Sequence, residues 1–122
     1  MVLRLVVLVG TLLVSPVAIA DRVLLAGTAS GSGTIQAELQ ALGHAVTRTD
    51  SDTLPASLAS FDTVWVHTLA ALSPTDIGLL AAFVEAGKGV YLNGASLPAA
   101  PSNANAEALV NATVIDAASI TV

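Results

Sequence analysis

The chain has 122 residues, of which 54% are hydrophobic and 11% charged, and it has no cysteine. That length suits one domain, and the missing cysteine excludes disulfide-stapled scaffolds, thiol catalysis and thiolate metal sites. Four scattered cations against nine acids build no basic patch, which excludes nucleic acid as a partner.

Residues 1–20 read MVLRLVVLVGTLLVSPVAIA. A single early cation, Arg4, precedes an apolar stretch from Leu5 to Val14, and Ser15 and Pro16 then break the pattern. Ala18 and Ala20 stand three and one positions before Asp21. This is the layout of a secretory signal peptide cleaved after Ala20, with an uncleaved anchor as the alternative. The apolar stretch is shorter than the roughly 20 residues a bilayer span needs, so no stable membrane association is expected after cleavage. The expected localisation is secreted or periplasmic, with residues 21–122 as a single mature domain.

Residues 22–26, RVLLA, form a short apolar run bounded by glycine, as expected of a strand buried on both faces. The loop GTASGSGT follows at 27–34. Thr34 is the expected cap of a helix running to Leu42, with Ile35, Leu39 and Leu42 on one side and Gly43 stopping it. Residues 45–49 read as a second strand, at a sheet edge, with Val46 in and Arg48 out. Residues 50–60 are a polar connection containing Pro55, too short for a second helix.

Residues 63–66, TVWV, are β-branched and aromatic and predict a third strand. Ser73, Pro74 and Asp76 then supply the cap, the first-turn proline and the third-position acid of a helix. Ile77, Leu80, Phe83 and Val84 make its apolar stripe, and Gly87 ends it. Residues 89–92 predict a fourth strand, 103–110 a short helix and 113–122 one or two further short strands. Strands alternating with helices imply an α/β domain. The expectation is a three-layer fold with a mainly parallel sheet of about four or five strands, in the order 2-1-3-4, and helices on both faces.

The run FDTVWVHTLAALSPTDIGLLAAFVEAGKGVYLNGAS, residues 61–96, resembles the central segment of class I glutamine amidotransferase-like domains. It is most similar to the trehalose-utilisation-type branch and to related domains of exported bacterial proteins. The residues that carry the likeness are Phe61-Asp62, Ser73-Pro74, Phe83-Val84, Gly87, Gly89 and the run 90–94, together with LGHAV at 42–46. The resemblance covers most of residues 22–96 and implies a flavodoxin-like order of strands. Members of that family carry a nucleophilic cysteine in the turn after the fourth strand, which here reads LNGAS at 92–96. The family's downstream His-x-Glu has no counterpart after Ser96, and Asn93 stands where the trehalose-utilisation-type branch places a histidine. Glutamine hydrolysis is therefore excluded. The chain is also shorter than a full family domain, which raises the alternative of a truncated remnant.

In open parallel sheets, ligands sit beyond the carboxyl ends of the strands, where residues 27–33, 50–53, 67–72 and 93–102 are expected to meet. The opening loop is no Walker A, because Thr34 rather than lysine follows Gly33, and no dinucleotide fingerprint, because Gln36 stands where a small residue is needed. Its amides can still receive an anion at the helix start. The candidate ligand contacts are Gly27, Thr28, Ser30, Gly31, Ser32, Gly33, Asn93 and Gly94.

His67, at the end of the third strand, suits a general base, and Ser96 is the nucleophile it would serve. No G-x-S-x-G elbow surrounds Ser96, and the third group would have to be Asp50 or Asp62. His44 reads as a surface turn residue, Trp65 as core, and residues 111–113 match a glycosylation sequon. No metal spacing is present and no cofactor is expected. The expected function is that of an exported, non-catalytic binding or accessory module for a small polar ligand or another protein domain. The alternatives are a secreted hydrolase using Ser96 and His67, or a remnant of a longer secreted protein.

Overall fold

Four consecutive residues, Val23, Leu24, Leu25 and Ala26, are each no more than 2% exposed. Such a run has no wet face and needs a neighbour on both sides as well as a layer above and below. The computed structural model describes residues 20–93 and 100–113, and it gives the run both. Strand β1 (Arg22–Ala26) lies inside a four-stranded, all-parallel sheet with β2 (Ala45–Thr49), β3 (Thr63–Val66) and β4 (Gly89–Leu92), in the order β2-β1-β3-β4. The four strands and their order are those the sequence predicts.

Alternation along the strands separates two faces. Leu24, Ala26, Val64 and Val66 point to one, where they pack with Ile77, Leu80, Ala81 and Phe83 of helix α2 (Pro74–Glu85) and Leu109 of helix α3 (Asn103–Thr113). Leu54 and Leu58 complete this core from the connection between β2 and β3. That connection forms no helix, as expected, yet it is not merely polar, because its two leucines fill the space a crossover helix would occupy.

The opposite face carries Val23 and Leu25, and helix α1 (Ser32–Ala41) lies over it, with Gln36 accepting a hydrogen bond from Arg48 at 3.4 Å. Arg48 stands opposite Leu25, and Val46 opposite Val23. Residues two apart on a strand share a face, so the expected split of Val46 in and Arg48 out is corrected. Both lie under α1, Val46 half-buried and Arg48 exposed, because β2 is an edge strand that α1 covers only in part. Further along this face Trp65 and Tyr91, paired across β3 and β4, stack at 4.3 Å between ring centroids. Trp65 is half-buried and Tyr91 is 47% exposed.

Helices α1 and α2 end in the same way. Gly43 and Gly87 adopt left-handed φ values of 94° and 84°. Each donates to the carbonyl three residues back, and the next residue donates to the carbonyl five back: Gly43 to Gln40 and His44 to Leu39, Gly87 to Val84 and Lys88 to Phe83. This Schellman closure satisfies otherwise orphaned carbonyls and turns the chain straight into a strand.

The helix starts differ from each other. Ser73 caps α2 by accepting from the Asp76 N–H at 3.1 Å, and Pro74 follows as predicted. α1 begins two residues before the predicted Thr34, with Gly31 as its cap and no side-chain cap bond. At its other end Leu42, expected on the apolar side, is the C-cap and 74% exposed. α3 runs three residues past the predicted Val110 and takes in Thr113, which was expected to open a strand. Thr113 instead bonds back to the Leu109 and Val110 carbonyls at 3.1 Å. The predicted fifth strand and the predicted signal peptide up to residue 19 lie outside the described residues. Among the described residues no helix is long and apolar enough to cross a membrane.

Candidate functional site

Beyond the carboxyl ends of β1 and β3 two segments of the chain pack closely against each other. Gly27 is buried, with φ 121°, and a Cβ placed there would collide with the carbonyl of His67. The His67 N–H donates to the Ala26 carbonyl at 2.7 Å, and the Ala29 N–H donates to the His67 carbonyl at 3.1 Å. The loop after β1 is thus sewn onto the residue that ends β3, and only glycine fits at the seam.

From there the loop climbs to Gly31, whose φ of 93° reverses it into α1. The N–H groups of Thr34 and Ile35 both reach the Gly31 carbonyl. Those of Ser30, Gly31, Ser32 and Gly33 find no acceptor among the described residues. A left-handed residue followed by helical ones aims successive amides inward, which is the geometry of an anion-binding nest.

Ser32 is 5% exposed and sits in the first turn of α1. Its hydroxyl lies 3.0 Å from the Ala29 carbonyl and 3.0 Å from Nδ1 of His67. A hydroxyl carries one proton. With that proton on the Ala29 carbonyl, the oxygen receives Nδ1–H from His67, which leaves Nε2 as the unprotonated nitrogen of the neutral ring. The second cluster centres on Asp52, whose carboxylate accepts from the Thr28 backbone at 3.0 Å, the Thr28 hydroxyl at 2.8 Å and the Thr68 hydroxyl at 2.6 Å. The Thr68 hydroxyl holds this carboxyl below the ordinary aspartate range, helped by Thr28 and opposed by partial burial.

Asn93 accepts from the Thr68 N–H at 2.8 Å. Asn105, reaching over from α3, accepts from the Leu72 N–H at 2.8 Å and donates to the Ala70 carbonyl at 3.0 Å. The loop from 67 to 72 is therefore held by side chains from four other segments: Ser32 at His67, Asp52 and Asn93 at Thr68, and Asn105 at Ala70 and Leu72.

Of the predicted ligand contacts, Gly27, Thr28, Ser30, Gly31, Ser32, Gly33 and Asn93 gather here with His67. Gly94 and Ser96 lie outside the described residues. Asn93 acts on the backbone of Thr68, and Thr28 on Asp52. The proposed third groups go elsewhere. Asp50 pairs with Arg48 at 2.8 Å. Asp62 sits at the amino end of the sheet, bound at both oxygens by Arg22, whose hydrogen bonds hold its carboxyl far below the usual range. His44 takes a 3.3 Å bond from the Asp21 N–H, away from this cluster.

Sequence reasoning brought residues 50–53 and 67–72 to the right place without singling out Asp52 or Thr68, and it missed Asn105. The available signal was an aspartate just past the end of a strand, facing two loops that each offer a threonine. No group of residues that could hold a metal ion occurs among the described residues. Comparison with protein-family models, with curated proteins and with solved structures finds no match for this chain.

Proposed function

We propose that the chain is an exported, non-catalytic binding module of glutamine amidotransferase-like fold, which takes a small polar, anionic ligand at the loop of residues 27–33. The observation that carries this reading is the pairing pattern at the strand ends. The side chains of Thr28, Ser32, Asp52 and Thr68 are committed to one another or to backbone, whereas the amides of residues 30–33 have no acceptor among the described residues. A reactive serine is exposed and faces its base; Ser32 is buried and already bonded to a carbonyl. What the loop offers is a set of backbone donors at the positive end of a helix, suited to a carboxylate or phosphate. Nε2 of His67 adds an acceptor when neutral and a cation when protonated.

The test is a titration of the uniformly ¹⁵N-labelled chain with inorganic phosphate and with acetate. Saturable shifts confined to the amides of residues 30–33 and the ring of His67 support the reading, and their absence with both anions defeats it. Hydrolysis of an ester substrate that is lost in the His67→Ala and Ser96→Ala variants would move the chain to the hydrolase class.

A further inference from the structure

A groove of about 390 Å³ runs between residues 56–59 and helix α2. Its floor is Leu58 and Phe83, and Leu79, Ala82 and Ala86 form the wall on the helix. It exists because the connection between β2 and β3 crosses the sheet as coil, and its two core leucines cover less of the flank of α2 than a helix would. The volume falls in the range of small-molecule sites, roughly 300–1,000 Å³. The groove opens toward Lys88 and Phe61, which precede β4 and β3, so it lies toward the amino ends of the strands and apart from the loop of residues 27–33.

Lys88 stands at its edge. The ammonium donates to the Phe61 carbonyl at 2.7 Å and lies 5.1 Å from the centre of the Phe83 ring. These contacts fix its position without neutralising it, because a carbonyl and a ring face carry no net charge. Arg22 and Arg48 each hold a carboxylate, and Lys88 has none within ion-pair distance among the described residues. Asp62, next to Phe61, is already taken by Arg22 at both oxygens. Among the described residues no acid lines the groove.

An apolar trough with a fixed, unneutralised cation at its edge is complementary to an alkyl chain that ends in a carboxylate. We propose that this groove binds a free medium-chain fatty carboxylate, with its chain along Leu58, Leu79 and Phe83 and its carboxylate on Lys88. A membrane surface is the poorer fit, since a chain of net charge −5 is repelled by anionic lipid headgroups.

The experiment titrates decanoate, below its micelle concentration, and decanol into the labelled full chain. Saturable shifts at Leu58, Leu79 and Phe83 are expected, with decanoate bound about three- to tenfold more tightly than decanol. Lys88→Gln should erase that preference and leave decanol binding unchanged. Ala82→Trp, placed on an exposed position, should fill the groove and abolish both, and Ala86→Trp serves the same purpose should the first variant unfold. Equal affinity for the two probes, shifts elsewhere, or binding that survives both tryptophans would overturn the proposal. So would binding only to vesicles of anionic lipid. Phosphate binding at residues 30–33 is read from different amides, so either site can fail without the other.

Discussion

The Ser32 hydroxyl and Nδ1 of His67 face each other at 3.0 Å, and the same hydroxyl is 3.0 Å from the Ala29 carbonyl. One proton cannot satisfy both directions, so the imidazole is the donor in this pair. The neutral ring is therefore expected in its Nδ1–H form, the less common tautomer of free histidine. Long-range ¹H–¹⁵N correlation at alkaline pH reads this directly. In Ser32→Ala the Nδ1–H loses its acceptor, and the ring should shift toward the Nε2–H form. The variant should also lose about 1 kcal/mol of stability, the net worth of a neutral hydrogen bond.

Gly27 and Gly43 both hold a left-handed φ, but their surroundings differ. A Cβ on Gly27 meets the His67 carbonyl, whereas one on Gly43 meets nothing within 4 Å. Gly43→Ala should cost about 1 kcal/mol, the conformational penalty alone. Gly27→Ala adds a backbone collision and should cost about 3 kcal/mol or more. Urea denaturation of the two variants separates the terms, and equal losses would refute the tight seam between β1 and β3.

Thr68 donates to Asp52 and accepts the Ala70 N–H at 2.9 Å. Thr68→Val keeps the shape and removes both bonds, at a cost of about 1–3 kcal/mol near neutral pH. Part of that cost depends on pH. The Asp52 carboxyl is held below its unfolded value, first by the Thr68 hydroxyl. A depressed carboxyl contributes stability above the unfolded pKa and loses it as pH falls through the folded one. The gap between wild type and Thr68→Val should therefore narrow as acid protonates Asp52, and a gap that widened in acid would contradict the assignment.

Trp65 is the single tryptophan of the chain, and it stacks on Tyr91. Tyr91→Ala should expose the indole and move its emission to longer wavelength. The loss in stability should be about 0.5–1.5 kcal/mol, the usual range for an aromatic pair, and nearer its lower end because Tyr91 is 47% exposed. An unchanged spectrum would place Trp65 away from Tyr91.

Elements were legible in the sequence where one local device settled each of them. The runs of β1, β3 and β4 are largely apolar, and β1 could be read as central because none of its residues 23–26 is polar, whereas β2 was read from its mixed, edge-like pattern. Ser73-Pro74 fixed the start of α2, and the two terminal glycines fixed the ends of α1 and α2. The failures arose where such a device is missing. α1 begins on a glycine whose backbone alone turns the chain, so no cap residue marks it and Thr34 attracted the prediction. α3 outlasted its apolar positions because Thr113 satisfies itself against its own helix. At the site, proximity of loops was readable, because parallel strands deliver their ends to one rim. Partnership was not, because Asp52 meets Thr68, and Asn105 meets Ala70 and Leu72, through tertiary geometry that no spacing encodes.

The position of β1 bears on how the chain acquires its shape. β1 pairs with β2 on one side and β3 on the other, so Val23 meets Val46 first and gains its second partner only when Thr63 arrives. Among the described residues no two strands are joined by a hairpin that could form early and alone. Every pairing has to close a long loop first, and topologies of that kind fold slowly. During synthesis Val23–Ala26 must therefore wait, apolar and paired on one side at most, until β3 has been made. A segment buried on every side in the finished protein is thus left half-covered on the way to it, and a chaperone that recognises extended apolar segments would find it there.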